Sequence, residues 1–308
     1  MTTVANPTAT MRETFVETVD TALDANERLA LVLADISADR FVAAAERHPR
    51  RVLNVGIREQ AMMGVAGGLA LAGMRPVVHT ITPFLVERPF EQIKLDINHQ
   101  GVGAVLVSTG ASYDYPGAGR THMAPGDIAL LDTLPGWTAH VPGHPAELPG
   151  MLTAAFDGDG PVYLRLGDRA NAEPMPTGGG MHTVRSGRGG TVVAVGPMLD
   201  PVLEATAGMD VTVLYSATVR PFDRVGLRRA VLGAAPAVVL VEPYLSGTST
   251  HLVAEALTDV PHRVLALGVR REAELRAYGT AGEHEVAHGL GPAGIAGSVR
   301  AFLDRAAT

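Results

Sequence analysis

The 308 residues suffice for two domains, and a composition of 46% hydrophobic and 19% charged residues allows a large core and argues against extended disorder. A formal net charge of −7 without a clustered basic stripe argues against a nucleic-acid partner. The chain has no cysteine, which excludes disulfides, thiolate metal sites and a cysteine nucleophile and fits a reducing cytosol.

Along the chain, Met1–Thr14 lacks the apolar core of a signal peptide, and no stretch approaches the roughly 20 uninterrupted apolar residues of a membrane helix, so a cytoplasmic, non-membrane protein is expected. Short runs rich in Val, Leu and Ile then alternate with Ala-rich helical stretches. Buried strands are expected at Leu29–Ala34, Pro76–His79, Ala104–Ser108, Thr138–Val141, Val162–Leu166, Thr191–Val195, Val211–Tyr215, Ala237–Val241 and Val264–Leu267. Helices are expected at Glu59–Ala72 (ended by Gly73 as a C-cap), Arg88–Asn98, Ala146–Phe156 and Asp200–Gly208. The alternation predicts an α/β fold of two doubly wound domains. Asn171–Gly190, with two Pro and six Gly and no sustained apolar period, reads as a linker, dividing the chain into domains at 12–175 and 188–306.

The most informative stretch is Asn54–Gly68, NVGIREQAMMGVAGG. An acid in a first helical turn has an ordinary explanation in the helix dipole. Three features point further. Gly56 and Ile57 follow a short apolar run, as at a strand-to-helix crossover. The helix beyond, Ala61–Ala72, is almost entirely small or apolar and is expected to be buried on most sides. A carboxylate at its start, Glu59, is then partly desolvated and costly without a partner or a task.

This stretch resembles the pyrimidine-binding domain of transketolases and deoxyxylulose-phosphate synthases. The resemblance continues in register through Gly73-Met-Arg-Pro76, Thr80–Asp96 (TITPFLVERPFEQIKLD), Gly119-Arg-Thr-His122, Gly126-Asp-Ile-Ala129, Leu134-Pro-Gly136, Pro145-Ala-Glu147 and Pro161-Val-Tyr-Leu-Arg165. Tyr215–Asp223 (YSATVRPFD) resembles the third domain of the same enzymes. Each motif is weak alone; together they span nearly the whole chain.

The resemblance implies thiamine diphosphate as cofactor. It assigns Glu59 the hydrogen bond to the aminopyrimidine that activates the cofactor, and Phe84 the stacking face under that ring. Ile57 and Phe90 fall near the same ring pocket. His122 matches a histidine that contacts substrate oxygens. Arg120 and His79 are weaker substrate-side candidates, Arg120 being equally suited to a surface salt bridge. Transketolases acting on sugar phosphates carry Asp-Gly-Pro where this chain has Ala118-Gly119-Arg120, Glu87 stands where an aromatic is common, and the loop Ala111–Gly117 also departs, so the resemblance leaves the substrate open.

Full-length members hold the diphosphate through a divalent metal with a Gly-Asp-Gly motif and a downstream Asn. Here Gly158-Asp159-Gly160 precedes Pro161 and a strand and reads as a turn, so no metal ligand is assigned in this chain. The expectation is therefore a beta-like subunit of a split transketolase-type transferase that moves a two-carbon ketol or acyl unit to an aldehyde or ketone. A partner chain, the N-terminal half, would hold the diphosphate and Mg²⁺, in an α₂β₂ assembly. The beta chain of a 2-oxo acid dehydrogenase, a piece of a deoxyxylulose-phosphate synthase, and a non-catalytic scaffold or thiamine-diphosphate-sensing subunit of the same fold stay open as alternatives.

Overall fold

The computed structural model describes residues 9–178, 180–272 and 274–304; positions 305 and 306 of the expected second domain lie outside them. The first sheet has seven strands, β1 (Leu29–Leu33), β2 (Val52–Asn54), β3 (Arg75–Ile81), β4 (Val105–Thr109), β5 (Thr138–His140), β6 (Val162–Arg165) and β10 (Thr218–Arg220), in the order β10-β5-β6-β4-β3-β1-β2. The second has five, β7 (His182–Arg185), β8 (Thr191–Val195), β9 (Thr212–Ser216), β11 (Ala237–Leu245) and β12 (Arg263–Val269), in the order β12-β11-β8-β9-β7. All nine strands expected from the apolar runs are present, within a few residues of the expected bounds.

Within each sheet the central strands are parallel, and the antiparallel pairings fall at edges: β10 on β5 and β7 on β9. Strands β1, β3 and β4 are buried along their whole length, which is why they read as continuous rather than alternating apolar runs. Two edge strands depart from the sequence reading. β7 lies inside the stretch read as a linker, and β10, from the second half of the chain, closes the edge of the first sheet.

Helix α1 (Met11–Ala25) is capped by Thr10 and Glu13 in a reciprocal capping box and lies over the first sheet, with Phe15 packed on Phe41 and His79. Helix α2 (Val42–Arg47) leads to β2, and helix α3 (Glu59–Leu71) follows β2. Beyond α3, Gly73 sits at φ +86° and turns the chain into β3 as a left-handed cap. One apolar cluster runs through both halves of the chain, from Phe15 and Leu31 through Leu148 and Leu152 to Val192, Met198, Tyr215 and Val299. The halves also approach backbone to backbone: a Cβ at Gly143 would lie 2.8 Å from Gly196 O, and the Asn171 amide donates to that same oxygen at 3.0 Å. Among the described residues no helix is long and apolar enough to cross a membrane.

Candidate active site

Strand order reverses between β1 and β3: β2 lies to one side of β1, and β3, β4 and β6 follow on the other. In open parallel sheets ligands bind beyond the strand carboxyl ends at such a reversal. The turns leaving β2, β3 and β4 there carry Gly56–Glu59, Thr82–Arg88 and Gly110–His122, the segments singled out by the sequence.

Glu59 opens α3 and is 2% exposed. Helix α3 is buried on one face only, through Glu59, Met62, Met63, Ala66 and Gly67. The expectation of burial on most sides is corrected: Ala61, Gly64, Gly68 and Leu71 are exposed, Leu71 to 60%, because no other described residues cover the opposite face. Ile57, just before the helix, is 67% exposed.

The segment after β3 winds as a helix from Pro83, not from Arg88 as expected, with widened turns at Pro83–Glu87 and Ile93–His99. Pro89 has no N–H for the usual helical bond, and the turn before it closes instead by an Arg88 N–H to Pro83 O bond of 3.0 Å. This winding brings Arg88 over Phe84. The guanidinium carbon lies 3.9 Å from the Phe84 ring centroid, and Nη1 donates to Glu59 Oε1 at 2.7 Å. Gln60, the next residue of α3, donates from Nε2 to the Arg88 carbonyl at 3.2 Å. Phe84 in turn meets the His122 ring edge to face, and His122 Nδ1 pairs with Thr121 Oγ1 at 3.0 Å.

Glu59, Phe84 and His122, far apart in sequence, are thus brought into one contiguous group, with Arg88 as its centre. Arg88 had drawn no functional expectation; its spacing of four from Phe84 was the available signal. Phe90 is half-buried on the next turn and makes no ring contact with Phe84 among the described residues. Arg120 pairs with Glu274 at 2.7 Å and bonds the Met123 carbonyl, so it is engaged as a salt bridge to the second half of the chain. It lines a cleft of about 260 Å³ between the 112–125 and 269–288 segments.

His79 is a correction. It is fully buried, Nε2 pairs with Ser37 Oγ at 2.9 Å, Nδ1 pairs with Val107 O at 2.8 Å, and Phe15 covers its face. Burial lowers its pKa to about 4, so it is a neutral group inside the core and not at a pocket edge. A second buried polar group joins two of the matching motifs, a pairing the sequence reading did not expect. Arg165 Nε donates to Asp127 Oδ2 at 2.6 Å, Tyr163 OH donates to the same oxygen at 2.7 Å, Arg165 also donates to Ser112 Oγ, and Ser112 Oγ donates to Pro243 O. This chain of bonds fastens the loop after β4 to β6 and to β11.

The mostly parallel sheet, with a buried carboxylate and a partly exposed aromatic at its switch point, is that of a doubly wound α/β protein. The chain belongs to the transketolase family: residues 7–172 match the family described as transketolase, pyrimidine binding domain. It is 55% identical over 94% of its length to an uncharacterized 33.6 kDa protein in fasciation locus of Rhodococcoides fascians, covering 93% of that protein. It is 29% identical to the 6-deoxy-6-sulfo-D-fructose transketolase subunit SqwH of Clostridium sp. (strain MSTE9), over 84% of each chain. Among solved structures, a split gene transketolase described as an inactive beta4 tetramer superposes with a TM-score of 0.81 at 28% identity, covering 96% of this chain and 98% of that one.

Proposed function

We propose that this chain is the beta-like subunit of a split, thiamine-diphosphate-dependent transketolase-type transferase, moving a two-carbon ketol or acyl unit to an aldehyde or ketone acceptor. The carrying observation is the Glu59–Arg88–Phe84 arrangement. A planar N–C–N cation there bonds a buried carboxylate while lying on an aromatic face, the two contacts that an aminopyrimidine ring would make, so the residues fit the cofactor.

When bound, thiamine diphosphate supplies the carbanion chemistry. The chain's own residues bind and orient it. Glu59, held rigid at the start of α3, hydrogen-bonds the aminopyrimidine and holds a shared proton there. Phe84 offers the stacking face, with Ile57 and Phe90 as neighbouring apolar wall. His122, against the Phe84 ring edge, reaches substrate oxygens; Arg120 is the further substrate-side candidate.

We assign the diphosphate and Mg²⁺ to a partner chain, in a cytoplasmic α₂β₂ complex. The exposed small-residue face of α3, with Ile57 and Leu71, supports such a partner, as do the split-subunit relative and the inactive all-beta tetramer. The test is calorimetry of thiamine diphosphate with Mg²⁺, using this chain alone and then mixed with a candidate N-terminal-half chain. Binding only in the mixture, with turnover lost in Glu59→Ala while the complex still assembles, is expected. Unchanged turnover in Glu59→Ala overturns the catalytic reading in favour of a scaffold subunit.

A further inference from the structure

We propose that Arg88 is a built-in surrogate for the aminopyrimidine ring, closing the cofactor half-site in the uncombined chain, and that loading displaces it. The proposal rests on the reading of Glu59 and Phe84 as the aminopyrimidine seat. Both contacts of that seat are already taken by one group. The guanidinium donates to Glu59 Oε1 at 2.7 Å and lies 3.9 Å over the Phe84 centroid. The second distance is van der Waals contact, so no ring fits between Arg88 and Phe84. Chemically the match is close: guanidinium is flat, delocalised and edged with N–H donors, and it both forks onto carboxylates and stacks on aromatic faces.

The pair is asymmetric in a way that decides which partner moves. The Glu59 side chain is 3% exposed and fixed at a helix start, whereas that of Arg88 is 39% exposed. The Arg88 backbone is pinned on both sides of its Cα, by its N–H to Pro83 O and by the Gln60 Nε2 donor to its carbonyl. Displacement is therefore a side-chain rotation toward solvent with the backbone in place. The Arg88 contact also spares Glu59 the penalty of a buried carboxylate with no partner. The same contact stabilises the free chain and competes with the ring.

The test uses the full chain alone and 4-aminopyrimidine as probe, with affinity read by ligand-observed NMR and stability by thermal denaturation. Arg88→Ala is expected to melt below wild type and to regain stability with millimolar 4-aminopyrimidine or ethylguanidinium. Its affinity for 4-aminopyrimidine is expected to exceed that of wild type by about tenfold, the scale of one displaced cation–π contact and charged hydrogen bond. Arg88→Gln, which keeps a planar amide, serves if the alanine variant does not fold, with the same ordering. Affinity equal to or below wild type in the Arg88 variant, with binding abolished by Glu59→Gln, overturns the surrogate role and leaves the seat intact. Absence of binding by every variant removes the seat and the surrogate together.

Discussion

Phe84 and His122 meet edge to face with ring centroids 5.2 Å apart and planes at 72°. The contact joins the turn after β3 to the loop after β4. On the proposed reading His122 acts on substrate and not on cofactor. His122→Asn is expected to lower kcat/KM by about 10²–10⁴, the usual range for a positioned proton-transfer or hydrogen-bonding group, with thiamine-diphosphate affinity of the assembled enzyme unchanged. Parallel steady-state kinetics and calorimetry check the split.

Phe84→Ala has the opposite signature. It removes a stacking face, worth roughly 0.5–1.5 kcal/mol for an aromatic pair, so cofactor affinity falls by about tenfold or somewhat less. It also frees one side of the Arg88 guanidinium. Turnover at saturating cofactor is expected to survive better than in the His122 variant, which a cofactor titration of activity measures.

The Asp127–Arg165 pair is 0% and 2% exposed. Asp127→Ala leaves a buried guanidinium without its acid and is expected to cost about 3–5 kcal/mol in urea denaturation. The double variant Asp127→Leu, Arg165→Met leaves no orphaned charge and should cost clearly less. A double-variant loss equal to the sum of the Asp127→Leu and Arg165→Met single losses would mean that the pair is not energetically coupled.

Asp114 gives a pH dependence. Burial, together with the charge of Asp168, raises its pKa from 3.8 to about 7. Folding then favours the protonated form, so its contribution is present below pH 4 and is lost as pH rises toward 7. Asp114→Asn, which keeps the oxygen that accepts from the Ala111 and Asp168 amides, is expected to match wild type near pH 4 and to exceed it by about 1–2 kcal/mol at pH 8, the full linkage being reduced by partial exposure. His79 and His140, both lowered to about 4 by burial, act with the other sign. They weaken the fold as pH falls from 6.5 toward 4, and that loss should persist in the variant. Thermal melts across pH 4–8 resolve the two slopes.

Adjacent glycines of α3 should answer differently. A Cβ at Gly67 would stand 2.6 Å from the Asp96 carbonyl oxygen, so Gly67→Ala forces a backbone shift costing about 1–3 kcal/mol. A Cβ at Gly68 meets nothing within 4 Å, and Gly68→Ala is expected to raise chain stability by up to about 1 kcal/mol through helix propensity. Gly68→Leu should leave the free chain folded and weaken assembly with the partner, read by sedimentation.

The parallel strands were legible because burial on both faces writes them as unbroken apolar runs, as in Leu29–Leu33 and Ala237–Val241. The antiparallel edge strands were not. His182–Arg185 and Thr218–Arg220 are short, partly polar and antiparallel, and nothing local separates them from loop. Glu59, Phe84 and His122 could be read from motifs and are brought together by the fold. Arg88 was hidden because its contacts with Phe84 and Glu59 depend on the widened turn before Pro89. His79 was misread because a strand-end histidine shows its neighbours in sequence but not α1, which lies across it. Asp127 and Arg165 are 38 positions apart and meet only in the folded chain, one at the start of the short helix Asp127–Leu131 and the other at the end of β6.

The placement of β10 makes the two halves of this polypeptide inseparable. Thr218–Arg220 leaves the second half, pairs with Thr138–His140 and returns, so a protease that nicks near residue 178 would yield fragments that stay associated under native conditions. Hydrogen exchange at Val219 and its neighbours should then follow the opening of the first sheet, not the second, and gene fragments divided at that connection should each be expressed as incomplete folds that recover only on co-production.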